Sequence, residues 1–278
     1  MNDDKNSFTM HAIRFKKMTE IEKMNIAKHY VWIAIAGLAL FLNACSTATD
    51  PSEAYKGETA QQIFSKGEDA LRSRSYQQAI KRFEALDVQY PFGHETEIAQ
   101  LHLIYAYYMT DDYASAESAA DRYIHAHPIS DHVDYAYMMR GLSNYYQNLG
   151  IFEHIFAIDL ATRDLTQIKK SYNDFAMLVR NYPHSQYAPA AHQYMIYLRN
   201  TLADHELEVA KYYYSRGAYI AAADRANLVV RHYQGAPAIP EALAIMSKSY
   251  GALGLAKNQQ EVQQVIEFNY PSAVKGKS

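Results

Sequence analysis

One recurrence constrains this chain more than any other feature. Residues Tyr76 to Pro91 read Tyr-Gln-Gln-Ala-Ile-Lys-Arg-Phe-Glu-Ala-Leu-Asp-Val-Gln-Tyr-Pro. Tyr76, Ala79, Ile80, Phe83 and Leu86 fall at the three-and-four spacing of an amphipathic helix. Pro91 ends it, because the pyrrolidine ring cannot continue the hydrogen-bond ladder of the preceding turn. Tyr113, Ala116 and Pro128 then repeat Tyr76, Ala79 and Pro91 at a period of 37 residues. A repeat of that length is one helix pair too small to bury its own apolar face, so copies must stack.

The rest of the folded part reads as more of the same. The pattern resembles the tetratricopeptide repeat: a helix pair with glycine, then tyrosine, then A-x-x-x-F, then proline. A unit near 59–91 matches at Gly67, Ala79, Phe83 and Pro91, and one near 95–128 at Tyr107, Ala116 and Pro128. A third, about 131–183, holds Gly141, Phe175 and Pro183 but is 55 rather than 37 residues from proline to proline. The excess is an apolar insertion, Gly150 to Leu165, expected to pack on the array or on a partner. The fourth unit, about 185–234, opens with one long helix, with Asp204 as a place for a bend and Gly217 as its stop; Gln234 stands where proline is expected. The fifth, about 237–271, is polar at its end, as a capping repeat without a neighbour should be. The fold expected is all-α: a tetratricopeptide-repeat α-solenoid of five helix pairs over residues 58–271, followed by a disordered tail at 272–278.

The N-terminus reads as an address. Lysines precede an uncharged run from Tyr30 to Leu42, whose apolar core, Val31 to Leu42, fits a secretory signal better than a bilayer span. Leu42-Asn43-Ala44-Cys45-Ser46 follows, and Cys45 is the chain's one cysteine. This resembles a bacterial lipobox, which implies a signal peptide over 1–44, lipidation of Cys45 and a polar tether over 45–57. Met24 offers a second start, since residues 24–44 alone make a complete signal. Ser46, in place of the aspartate that retains lipoproteins at the inner membrane, implies the outer membrane, with the chain lipid-anchored on its periplasmic face.

Composition narrows function. At 49% hydrophobic and 21% charged the chain affords a core, and a net charge of −3 leaves no basic excess for nucleic acid. Twenty-five tyrosines suit helix seams and peptide-binding grooves, because each ring has an apolar body and a polar tip. Chemistry-bearing motifs are lacking. His125-Ala-His127 supplies two imidazoles, which are not a metal site. His205-Glu206 lacks a zincin's second histidine, and glycine-rich phosphate loops and nucleophile elbows are absent. The chain reads as no enzyme, with no metal and no cofactor.

A narrower resemblance rests on Tyr90-Pro91-Phe92-Gly93, Leu103 to Tyr108, Asp121-Arg122-Tyr123-Ile124, Asp134 to Leu142, Tyr182 to Tyr187 and Glu208 to Tyr213, together with the lipobox and the five-unit layout. On these the chain resembles the BamD family, the tetratricopeptide lipoproteins of the outer-membrane β-barrel assembly (BAM) machinery. The resemblance implies a non-enzymatic scaffold that binds the POTRA domains of BamA and other BAM lipoproteins, and helps receive unfolded outer-membrane protein clients for insertion. For client peptides it points to Tyr90, Tyr105, Tyr108 and Arg122, on a concave surface lined by first helices. For BamA it points to Arg225. The alternative is a tetratricopeptide envelope adaptor serving another periplasmic complex, such as peptidoglycan synthesis. An N-terminal coiled coil would favour that alternative, and repeats rather than heptads follow Glu58.

Overall fold

The computed structural model describes residues 50–51, 53–148 and 164–271. The expected signal peptide, Cys45, the insertion up to Arg163 and the tail lie outside the described residues.

Ten helices are present among the described residues, and they pair as the repeat requires. They are α1 (Ala60–Arg72), α2 (Tyr76–Gln89), α3 (His94–Met109), α4 (Tyr113–Ala126), α5 (Val133–Asn148), α6 (Thr166–Asn181), α7 (Ala188–Ser215), α8 (Tyr219–His232), α9 (Ile239–Ala252) and α10 (Ala256–Asn269). Each packs on the next in sequence, and first helices of neighbouring units also touch: α1 on α3, α3 on α5, α7 on α9. Local chemistry sets the starts. Thr59 forms a capping box with Gln62, and the Asp112 carboxylate accepts from the Ser115 amide at 3.1 Å, each satisfying amides that the first turn leaves free.

The seams depend on small residues. Ala79 and Ala116 are fully buried, as is Phe83. Phe83 occupies the space that a side chain on Gly67 would take: a Cβ there would lie 2.4 Å from its ring. The third unit repeats the device with Gly141 and Phe175, at 2.6 Å. There Ser171 replaces the alanine and donates its hydroxyl to the Gly141 carbonyl at 2.7 Å.

The core divides into three stretches. One joins α1, α2 and α3, a second runs from α3 to the first half of α7, and a third takes the second half of α7 through α10. Helix α7 is continuous through Asp204 over 28 residues. Its Leu198 and Leu202 belong to the middle stretch, and Ala203, Leu207 and Ala210 to the last. Buried charge ties the second unit to the third. Arg140 of α5 donates to Asp174 of α6 at 2.9 Å and to Asp121 of α4 at 2.5 Å, while Asn144 donates to the other Asp174 oxygen at 2.8 Å.

The last residues of the expected tether are held rather than free. Gln89 at the end of α2 donates to the carbonyls of Pro51, at 2.7 Å, and Ala54. Arg82 lies over the Tyr55 ring at 4.1 Å and pairs with Glu58 at 3.3 Å. Two amide hydrogen bonds from Gln89 and the stacked, ion-paired Arg82 guanidinium outweigh the polarity that makes this stretch look like a spacer.

Candidate functional site

Tyr105 and Tyr108 open an aromatic patch on α3. The Tyr105 ring meets Tyr76 edge-on at 6.2 Å and stays partly exposed. One turn on, Tyr108 packs edge-on against Tyr113 at 5.5 Å and Tyr146 at 5.8 Å. Tyr146 adjoins Tyr145, which in turn meets Tyr194 and Tyr197 of α7 at 5.6 and 6.0 Å. Burial raises the phenols of Tyr105, Tyr108, Tyr145 and Tyr194 above their ordinary value, so they remain neutral donors at physiological pH. The patch presents apolar ring faces with hydroxyl tips across α3, α4, α5 and α7, and Tyr197 is its most open member. Tyr145, Tyr146, Tyr194 and Tyr197 were not legible as members, because two helices far apart in sequence, α5 and α7, contribute them. The one available signal was the abundance of tyrosine.

Arg122 of α4 lies elsewhere. It lines a cleft of about 160 Å³ with Asp87, Gln100, Leu103, Ala119, Tyr123 and Ala126. At about 100° per residue, Gln100 and Leu103 sit on the side of α3 roughly opposite Tyr105. The cleft is polar and ordered. Gln100 donates to Asp87 at 2.6 Å and contacts the His127 ring nitrogen at 2.8 Å, while the Tyr107 hydroxyl donates to Glu84. Arg122 itself is exposed and makes no ion pair with the described residues, leaving its guanidinium free for a carboxylate. Tyr90 stands apart from both: its hydroxyl donates to the Glu58 carbonyl at 2.8 Å. The structure therefore distributes the four residues over an aromatic patch, a polar cleft and the seat of the N-terminal segment.

At the other end, Arg225 of α8 donates to Glu206 of α7 at 2.9 Å. Glu206 is nearly buried, whereas the arginine side chain is 42% exposed. One edge of the guanidinium is thus committed internally and the other faces out. His125 contacts the Asp121 carbonyl at 2.8 Å, and His127 packs its ring on Tyr123 at 4.8 Å. Both imidazoles have local structural partners.

A family profile described as "YfiO: Outer membrane lipoprotein" matches residues 56–265. The chain is 32% identical over 239 residues to the protein named outer membrane protein assembly factor BamD in Neisseria meningitidis serogroup B, covering 85% of this chain and 90% of that one. It is 36% identical over 208 residues to the protein of that name in Vibrio cholerae serotype O1, covering 75% and 86%. Among solved structures, the TPR-like repeats of a Podosopora anserina chain described as kinesin light chain overlap 74% of this chain and 92% of theirs, with 10% identity and a TM-score of 0.33.

Proposed function

The chain belongs to the YfiO family of outer membrane lipoproteins, and from that membership we propose that it is a non-enzymatic scaffold of the β-barrel assembly machinery. The observation that carries this is the match along nearly the whole length of relatives named as assembly factors. Lipidated at Cys45, the protein works from the periplasmic face of the outer membrane. Its last two units bind BamA POTRA domains through the outward edge of Arg225. Its first units receive client C-terminal segments. The aromatic patch around Tyr105 and Tyr108 takes an aromatic side chain, and Arg122 in its cleft takes a carboxylate. Tyr90 contributes by holding the N-terminal segment in place. The free guanidinium and the open tyrosine faces support this division; lying on opposite sides of α3, they engage separate points of an extended client segment, an aromatic side chain at one and a carboxylate at the other.

The test is paired. Crosslinking to a client C-terminal peptide and co-purification of BamA are measured on the same variants. Tyr105→Ala and Arg122→Ala should weaken peptide capture and spare BamA. Arg225→Glu should do the reverse by placing like charges across the contact. Because Arg225→Glu also breaks the bond to Glu206, Glu206→Gln serves as control: it loosens the internal pair, keeps the arginine, and should retain BamA. If BamA retention survives Arg225→Glu, or if both activities fall together while helicity is normal, the two-ended assignment is wrong.

A further inference from the structure

Successive units are joined by turns along one edge of the array, and two of these turns carry a bare apolar residue at the same repeat position. Phe92 follows Pro91 and Ile129 follows Pro128, 37 residues apart. They are 93% and 95% exposed, the most exposed large apolar side chains among the described residues. The edge holding them is not loose. Thr96 donates to the Tyr90 carbonyl at 2.5 Å across the first turn, Ser130 of the second turn donates to Glu97 at 2.8 Å, and Ser185 of the third donates to Asp134 at 2.6 Å. Each turn is laced to a neighbouring helix, so the two side chains are presented at fixed positions.

The N-terminal segment arrives at this same edge. Gln89 grips Pro51 and Ala54, and the Tyr90 hydroxyl grips Glu58, three and two residues before Phe92. Six residue steps separate Pro51 from Cys45, a path of at most about 20 Å. Resting on the reading that Cys45 carries the lipid, we propose that this edge lies against the membrane, with Phe92 and Ile129 in the headgroup layer of the leaflet that holds the anchor. An apolar ring and a branched aliphatic side chain gain by leaving water there, and a fixed pair adds to the anchor without a new tether. Glu95 and Asp131 lie two or three residues on and keep the contact shallow, because a carboxylate resists entering hydrocarbon. The turn edge therefore sets how the array stands on the bilayer.

Trp32, the sole tryptophan, lies in the expected signal peptide, and Trp32→Phe keeps the background dark also in a chain that retains that peptide, so one introduced tryptophan reports alone. Phe92→Trp, Ile129→Trp and, on α10, the 87% exposed Phe268→Trp are purified from membranes as full chains. Each is reconstituted into vesicles of phosphatidylethanolamine and phosphatidylglycerol, with or without bromine on the acyl chains. A blue shift and bromine-dependent loss of emission at positions 92 and 129, with neither at 268, is the expected result. Equal emission at 92 and 129 in both vesicle types overturns the proposal and leaves the edge to a protein partner. Quenching at all three positions also overturns it, as general adsorption. Mass spectrometry of the same samples reads the anchor separately. A lipidated chain with no quenching retains the anchor and loses the edge contact, whereas quenching in a chain without lipid retains the contact and refutes the anchor.

Discussion

Gly67 and Gly141 show how single positions set helix spacing. A methyl group at either would intrude on a fully buried phenylalanine ring, Phe83 or Phe175, that has no room to swing aside. Overpacking of this kind costs about 1–3 kcal/mol, against a helix-propensity gain of about 1 kcal/mol for Gly→Ala. Gly67→Ala should therefore lower the urea midpoint, and adding Phe83→Leu should restore much of it. The second unit reverses the exchange: Ile104 and Ala120 stand at the corresponding positions, both fully buried. Polar positions are equally specific. The Ser130 hydroxyl, with help from the Tyr123 hydroxyl, holds the Glu97 carboxyl below its ordinary 4.5. A depressed carboxyl stabilises the fold above its unfolded pKa and loses that contribution as pH falls through the folded one. Glu97→Gln should thus be less stable than the parent at neutral pH. The gap between the two denaturation curves should close as pH falls below 4.5.

The second helices of all five units end alike, whatever residue follows. Tyr90, His127, Tyr182, Tyr233 and Tyr270 cap them with φ between −118° and −134° and ψ between 47° and 64°, each amide bonding four residues back. Proline follows in every unit except the fourth, where Gln234 stands. There the turn is clamped from outside: Arg199 of α7 donates to the carbonyls of Gln234 and Gly235 at 3.0 and 3.2 Å. Side-chain bonds do the work that ring rigidity does elsewhere. Since the cap already has the geometry that precedes proline in its sister units, Gln234→Pro should stabilise by roughly 0.4–1 kcal/mol through the unfolded chain. Arg199→Ala should destabilise the parent, and less so the proline variant, in a thermal-melt cycle. The turns inside the units show the same freedom of means: a left-handed residue is Arg74 or Asp111 in the first two and Gly217 or Gly254 in the last two.

Across the molecule, α7 is where one core ends and another begins. The boundary falls between Leu202 and Ala203, inside a continuous helix, so the helix itself couples the N-terminal units to the C-terminal pair. In an array whose units touch only their neighbours, stability is a sum of local terms and shared interfaces. Breaking the helix at that boundary should uncouple the two cores. Ala203→Pro, at about 3 kcal/mol or more for a helix interior, should split a single calorimetric transition into two. A single transition shifted as a whole would show coupling through side-chain contacts instead.

The repeat period, the helix-ending prolines and the alanine–phenylalanine pattern determined the pairing and where most second helices end, because these signals act within one turn or one unit of chain. The long α7 was legible for the same reason: no breaker follows Pro189 until Gly217. What stands beside what across units was decided only in three dimensions. Tyr105 and Arg122 looked like neighbours along the repeat, yet lie on opposite sides of α3, since at 100° per residue a few positions reverse the direction of a side chain. The partner of Arg225 is Glu206, 19 residues earlier, and the clamp on the proline-less turn is Arg199, 35 residues earlier. The Tyr145–Tyr194 contact joins α5 to α7. Periodicity fixes which face of a helix is buried; only packing the helices together fixes what that face meets.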